Sequence, residues 1–88
     1  MSKGEDYEVE FFDLKRAAKL TRISLICVYF NPRDYPGKYV ARLWDCDRPT
    51  QIMATADTLE GIRAKIPDTM VKLDRDHRDD PVIVETWI

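Results

Sequence analysis

The densest group of ionisable side chains lies in segment 74–80, which reads DRDHRDD and contains the chain's one histidine, His77. Clustered carboxylates can bind a hard cation or act as acid and base, so Asp74, Asp76 and Asp80 are the candidates for a small carboxylate-dependent hydrolase. A calcium loop needs a glycine for its tight turn, and here two arginines compete for the carboxylates. We therefore predict a solvated charged loop with no metal site, and no catalytic residues in the chain.

The two cysteines, Cys27 and Cys46, each lie in or beside a predicted strand. Without CxxC or HxxxH spacing they do not make a zinc site with the single histidine. We predict two reduced thiols, one of them packed as a small apolar side chain, and no cofactor.

A second group combines arginine with aromatic residues. Arg42 and Trp44 share one face of a predicted strand, and Arg33 and Tyr35 lie in the loop that precedes it. Trp, Tyr and Arg are the residues most enriched at binding hot spots, so these four predict a partner-binding patch. The alternative is that Trp44 lies in the core and the methylene stem of Arg42 covers it.

The basic residues are concentrated in the middle of the chain. Residues 13–48 carry eight Lys or Arg against four Asp, whereas the net charge is −2 and the isoelectric point is about 5.3. A nucleic-acid interface would use Lys15, Arg16, Lys19, Arg22 and Lys38, together with Arg33 and Arg42. The acidic balance of the whole chain makes this the second hypothesis.

The elements that position these side chains are clearest between residues 38 and 65. Residues 39–44 alternate as a strand, Pro49 interrupts the pattern, and residues 50–54 resume it. Asp57 and Glu60 fit a capping box with Asp57 as the cap, and the helix they begin ends before Pro67.

The rest of the chain adds a helix before this region and one or two strands after it. Residues 8–20 predict a helix, although residues 7–11 also alternate as a strand would. Residues 23–30 predict a strand that is covered on both sides, or on one side by helices with the other side used for association. Residues 31–37 predict a loop, and residues 70–73 and 82–88 predict strands.

The predicted fold class is α+β: a small antiparallel sheet of three to five strands with helices on one face, in the order α-β-β-β-α-(β)-β. Eighty-eight residues make one domain, with residues 1–6 disordered. No apolar run reaches the roughly 20 residues of a membrane helix, and we expect a cytoplasmic protein.

The segments KYVARLWD, ADTLEGIRAKIP and DDPVIVETWI resemble short uncharacterised proteins of Gram-positive bacteria and their mobile elements. That resemblance covers residues 31–88 and implies no activity. The predicted element order also resembles that of double-stranded-RNA-binding domains and HicB-type antitoxins. Residues 58–65 carry acids near the start of the helix, where the RNA-binding domains have a lysine-rich clamp.

These observations predict a small non-enzymatic protein-interaction or regulatory module. Its partner is another protein, or a second copy of the chain that pairs through a strand edge. Nucleic acid is the second choice of partner, and a membrane is not expected.

Overall fold

The computed structural model describes residues 6–73 and 82–88, so the charged segment with His77 lies outside the described residues. The described part of the chain forms one sheet and two helices. The elements are β1 Tyr7–Glu8, α1 Leu14–Leu20, β2 Ser24–Phe30, β3 Tyr39–Asp45, β4 Arg48–Ala56, α2 Leu59–Arg63, β5 Lys72–Leu73 and β6 Ile83–Trp87.

The sheet has six strands in the order β1-β4-β3-β2-β6-β5. It is mixed, because β1 runs parallel to β4 while the other neighbours are antiparallel. The α+β class is confirmed, but the sheet is larger than the three to five strands predicted and is not wholly antiparallel. The difference comes from β1, which has two residues and is too short to give a periodic signal. The other short strand, β5, lies within the predicted residues 70–73.

The first helix is shorter than the predicted residues 8–20. It begins at Leu14 because Asp13 has an extended backbone and its carboxylate accepts a hydrogen bond from the Lys15 amide at 2.9 Å. The preceding backbone is held extended instead, since the Val9 amide donates to the Met53 carbonyl at 2.8 Å. Residues 8–13 are therefore not helical as predicted, and the alternation at residues 7–11 corresponds to β1 at Tyr7–Glu8.

The second helix is capped by Thr58, and the prediction of Asp57 as the cap is wrong. The Thr58 hydroxyl accepts from the Gly61 amide at 2.9 Å, as an N-cap side chain does. Asp57 instead forms an ion pair with Lys38, which lies beside it because Tyr39 and Ala56 are register partners. The helix ends at Arg63, well before Pro67.

Strand β4 begins earlier than predicted because the turn before it is tight. Asp45 and Arg48 are register partners, which leaves a two-residue turn at Cys46 and Asp47. Cys46 has a φ of 56°, in the left-handed region that favours glycine. Pro49 thus lies within the strand, although the sequence pattern is interrupted there.

The two faces of the sheet differ in what covers them. On one face, side chains from both helices and from β2, β3 and β4 form the main core, in which Ile26, Leu43 and Ile62 are almost fully buried. We call the opposite face the helix-free face, since neither described helix packs on it. The strand residues that alternate with the core positions point to this face. The described helices are seven and five residues long, and neither could cross a membrane.

Candidate interaction surface

The helix-free face carries an apolar row that crosses five strands. Leu25 is the register partner of Trp44, and Trp44 is the partner of Pro49. Ile88 follows Trp87, the partner of Ile26, so Ile88 lies beside Leu25; it also exchanges backbone hydrogen bonds with Val71 at 2.7 and 2.9 Å. We call Pro49, Trp44, Leu25, Ile88 and Val71, in that order across the sheet, the apolar row. With strands about 4.8 Å apart, it is about 19 Å long.

Pro49 is exposed at one end of the apolar row, and Ile88 and Val71 are exposed at the other. Val71 is 62% exposed and Ile88 is 50% exposed, while Leu25 and Trp44 are half-buried. Scattered single apolar side chains on a surface need no explanation, but a continuous row across a sheet is typical of a contact surface.

The indole of Trp44 is tied to the sheet at its polar end. Its Nε1 donates to the Tyr29 hydroxyl at 2.9 Å. Burial raises the pKa of Tyr29, and the neighbouring Cys27 thiol adds to the rise, so the phenol stays protonated near neutral pH. The two aromatic side chains are therefore held in place, while the ring of Trp44 remains half-exposed on the face.

Beside the apolar row lies a charged cluster made by Arg42, Asp6 and Tyr35. Arg42 Nη1 donates to Asp6 Oδ1 at 3.0 Å, and the Tyr35 hydroxyl donates to Asp6 Oδ2 at 3.1 Å. The same Nη1 also donates to the Thr50 carbonyl at 2.9 Å. The side chains of Asp6 and Arg42 are only 4% and 15% exposed. Both oxygens of the carboxylate are thus bound in a nearly dry site.

The environment of this cluster fixes its charge. Burial alone would raise the pKa of Asp6, but the hydrogen bond and charge of Arg42, with the hydrogen bond from Tyr35, outweigh burial and lower it. Burial and the Asp6 carboxylate together raise the pKa of Tyr35. At neutral pH Asp6 is therefore an anion bound by a cation and a phenol.

A shallow groove of about 240 Å³ adjoins the cluster. It is lined by Tyr29, Pro32, Asp34, Tyr35, Val40, Arg42 and Val82. Of the four residues predicted as a partner-binding patch, Tyr35 and Arg42 therefore lie together in this groove. Trp44 lies on the same face in the apolar row, and Arg33 is an exposed loop residue outside the lining.

The residues of the nucleic-acid hypothesis are spread over two ends of the sheet. Lys15, Arg16 and Lys19 are exposed on α1. Arg22 precedes β2, and its backbone amide donates to Asp45. Lys38 lies beyond the other end of β2, about 20 Å away by strand length, and pairs with Asp57. The structure therefore does not gather these five cations on one face.

The two cysteines lie in different places in the sheet, and Cys27 is the register partner of Arg42. Cys27 is half-buried on the helix-free face, with its Sγ 3.8 Å from the Thr86 hydroxyl. Cys46 is exposed in the turn between β3 and β4. Both are thiols. Among the residues that the structure describes, no three of His, Cys, Asp and Glu lie together as a metal site would require.

A second buried carboxylate lies on the helix-covered face and was not predicted. Glu85 is 3% exposed, and Arg63 donates to it through Nε and Nη2 at 2.7 to 3.3 Å. Trp87 Nε1 also donates to Glu85 Oε2 at 2.6 Å. Burial would raise the pKa of Glu85, but these donors outweigh it and lower the pKa. The signal in the sequence was the lone acid within an otherwise apolar and β-prone strand.

Comparison of the chain with family models, with curated proteins and with solved structures finds no match. The site is therefore interpreted from its own geometry.

Proposed function

We propose that this chain is a small, non-enzymatic protein-interaction module that binds another protein through its helix-free face. The observation that supports this most is the apolar row, which runs across five strands with neither described helix over it. Its adjacent members Ile88 and Val71 are both exposed. The neighbouring Arg42 is already neutralised by Asp6, so a partner can cover this face without burying an unpaired charge. A flat protein surface with an apolar centre is the partner that fits.

The test compares two exposed apolar positions on opposite faces. Val71 in the apolar row is 62% exposed, and Leu20 on α1 is 60% exposed, so Val71→Lys and Leu20→Lys add the same charge at matched exposure. A partner is first isolated on the immobilised wild-type chain and purified, and its dissociation constant is then measured for all three chains. We expect Val71→Lys to weaken binding about tenfold or more and Leu20→Lys to leave it unchanged.

Equal binding by the two variants would contradict the proposal. Recovery of nucleic acid that is lost when the salt concentration is raised would contradict it too. That result would favour nucleic-acid binding through the cations of α1.

A further inference from the structure

Strand β1, which directly follows Asp6, is weakly attached to the sheet. Strand β1 pairs with only two residues of the nine-residue β4, Ile52 and Met53. A parallel pair of this length contributes few backbone hydrogen bonds, and β1 forms one edge of the sheet. Val9, directly after β1, packs against the core and donates to the Met53 carbonyl, and the side chains directed onto the helix-free face add to this attachment.

Those side chains are carboxylates at alternate positions. Asp6 is bound by Arg42 and Tyr35, and two residues later Glu8 Oε2 accepts from the Thr55 hydroxyl at 2.9 Å. Alternate residues of an extended segment point to the same face, so one strand delivers both acids. The groups that bind them are Arg42 in β3, Thr55 in β4 and Tyr35 in the loop between β2 and β3.

We propose that Arg42 and Tyr35 form a carboxylate-recognition site that binds an acidic side chain of an extended partner segment when β1 leaves the edge of β4. The occupant is an extended segment with carboxylates two residues apart, because that is the chemistry this edge binds within the chain itself. Arg42 is suited to it because a guanidinium binds a carboxylate through charge and directed hydrogen bonds together. Asp6 holds the site closed until a partner displaces it, and the covalent link gives Asp6 the advantage of a high local concentration.

This inference rests on the proposed function, since both place the partner on the helix-free face, but it depends on different residues. The test uses the full chain with Asp6→Ala, which empties the site, and Glu10→Ala as the matched control, which removes an exposed acid two residues beyond β1. The probe is the capped peptide DYEVE, and the control peptide is NYQVQ, in which each acid is replaced by its amide. Binding is followed by chemical shifts of the Arg42 side chain.

We expect the Asp6→Ala chain to bind DYEVE about tenfold or more tightly than the wild type or Glu10→Ala. We expect NYQVQ to bind to Asp6→Ala at least about tenfold more weakly than DYEVE. No binding of DYEVE by folded Asp6→Ala, or equal binding of the two peptides, would overturn the proposal. Should Asp6→Ala not fold, hydrogen exchange of the wild type decides. The Val9 amide must then exchange much faster than that of Val28 in the central strand, and equal protection of the two would overturn the proposal.

The two proposals fail separately. Unchanged partner binding by Val71→Lys would overturn the interaction surface even where Asp6→Ala binds the acidic peptide. Loss of partner binding by Val71→Lys, with no peptide binding by Asp6→Ala, would overturn only the carboxylate site.

Discussion

Arg42 and Asp6 form an ion pair that reaches across an intervening strand, since Arg42 belongs to β3 and Asp6 precedes β1, with β4 between them. Tyr35 joins the same carboxylate from the loop between β2 and β3. One anion therefore fixes an edge strand, a central strand and a loop relative to one another. Two of the residues that line the groove, Tyr35 and Arg42, are therefore positioned by that single anion.

Removal of this anion should weaken the fold in a pH-dependent way. Because Asp6 and Arg42 are almost dry, Asp6→Asn should lower the free energy of unfolding at pH 7 by about 3 kcal/mol. The pKa of Asp6 in the folded chain lies below its ordinary value of 3.8. The contribution of the ion pair is therefore fully present above pH 3.8 and is lost as pH falls through the folded pKa.

The measurement is urea unfolding of the wild type and Asp6→Asn between pH 7 and pH 2. The difference between the two chains should stay constant down to about pH 4 and shrink below it. Glu85, whose pKa is also lowered, titrates in both chains, so its contribution to the pH dependence cancels in this difference. A difference that is independent of pH would contradict this account.

Arg63→Met should raise the pKa of Glu85. Burial raises the pKa of Glu85, and without Arg63 the Trp87 indole and the more distant Lys72 are left to lower it. A carbon-detected titration of the Glu85 side chain measures the shift directly. Lys65→Met, two residues along, is the control, because the Lys65 ammonium donates instead to the Glu10 carbonyl. An unchanged pKa in Arg63→Met would show that the ion pair does not hold Glu85 ionised.

The cap of α2 can be assigned by two substitutions at neighbouring positions. Thr58→Ala removes the hydroxyl that accepts from the Gly61 amide and should lower the free energy of unfolding by about 1 kcal/mol. Asp57→Ala removes only an exposed ion pair with Lys38, so its effect should be smaller. Thermal or urea unfolding of both variants orders them, and a larger loss for Asp57→Ala would restore Asp57 as the cap.

Two left-handed positions should differ in how their stability responds to glycine. Cys46 and Asn31 both have a φ of 56°. Cys46→Gly relieves the strain in the turn between β3 and β4 and should raise the free energy of unfolding by up to about 1 kcal/mol. Asn31→Gly relieves the same strain but removes the side-chain oxygen that accepts from the Gly37 amide at 2.7 Å, so it should gain less or lose. Equal gains in urea unfolding would show that this hydrogen bond contributes nothing.

Local sequence patterns predicted the elements that are long enough to show a period. Strand β2 lies where the apolar run of residues 23–30 predicted it, and β3 where the alternation of residues 39–44 did. The loop between them contains the two prolines that predicted it. The cap of α2 was misassigned because Asp57 and Thr58 are both good caps, and the choice is made by Lys38, 19 residues away. No pattern within a short window contains that information.

The candidate site was predicted in part for the same reason. Tyr35 and Arg42 were singled out by residue type, and the structure does bring them together. The residue that joins them, Asp6, lies in a stretch predicted to be disordered, and its ion pair spans 36 residues of sequence. A two-residue edge strand gives no periodic signal, so only the folded sheet reveals the contact.

The strand order also determines how far apart along the chain the neighbours of β2 lie. On one side β2 meets β3 through a short loop, but on the other it meets β6, where Cys27 and Thr86 are neighbours although they are 59 residues apart in sequence. Closing so long a loop lowers the conformational entropy of the chain before any new contact offsets that loss. The local hairpins of β2, β3 and β4 are therefore expected to form early in folding, and the docking of β6 beside β2 is expected to be the slow step. Until that step, one edge of the most apolar strand is open to pairing with other chains.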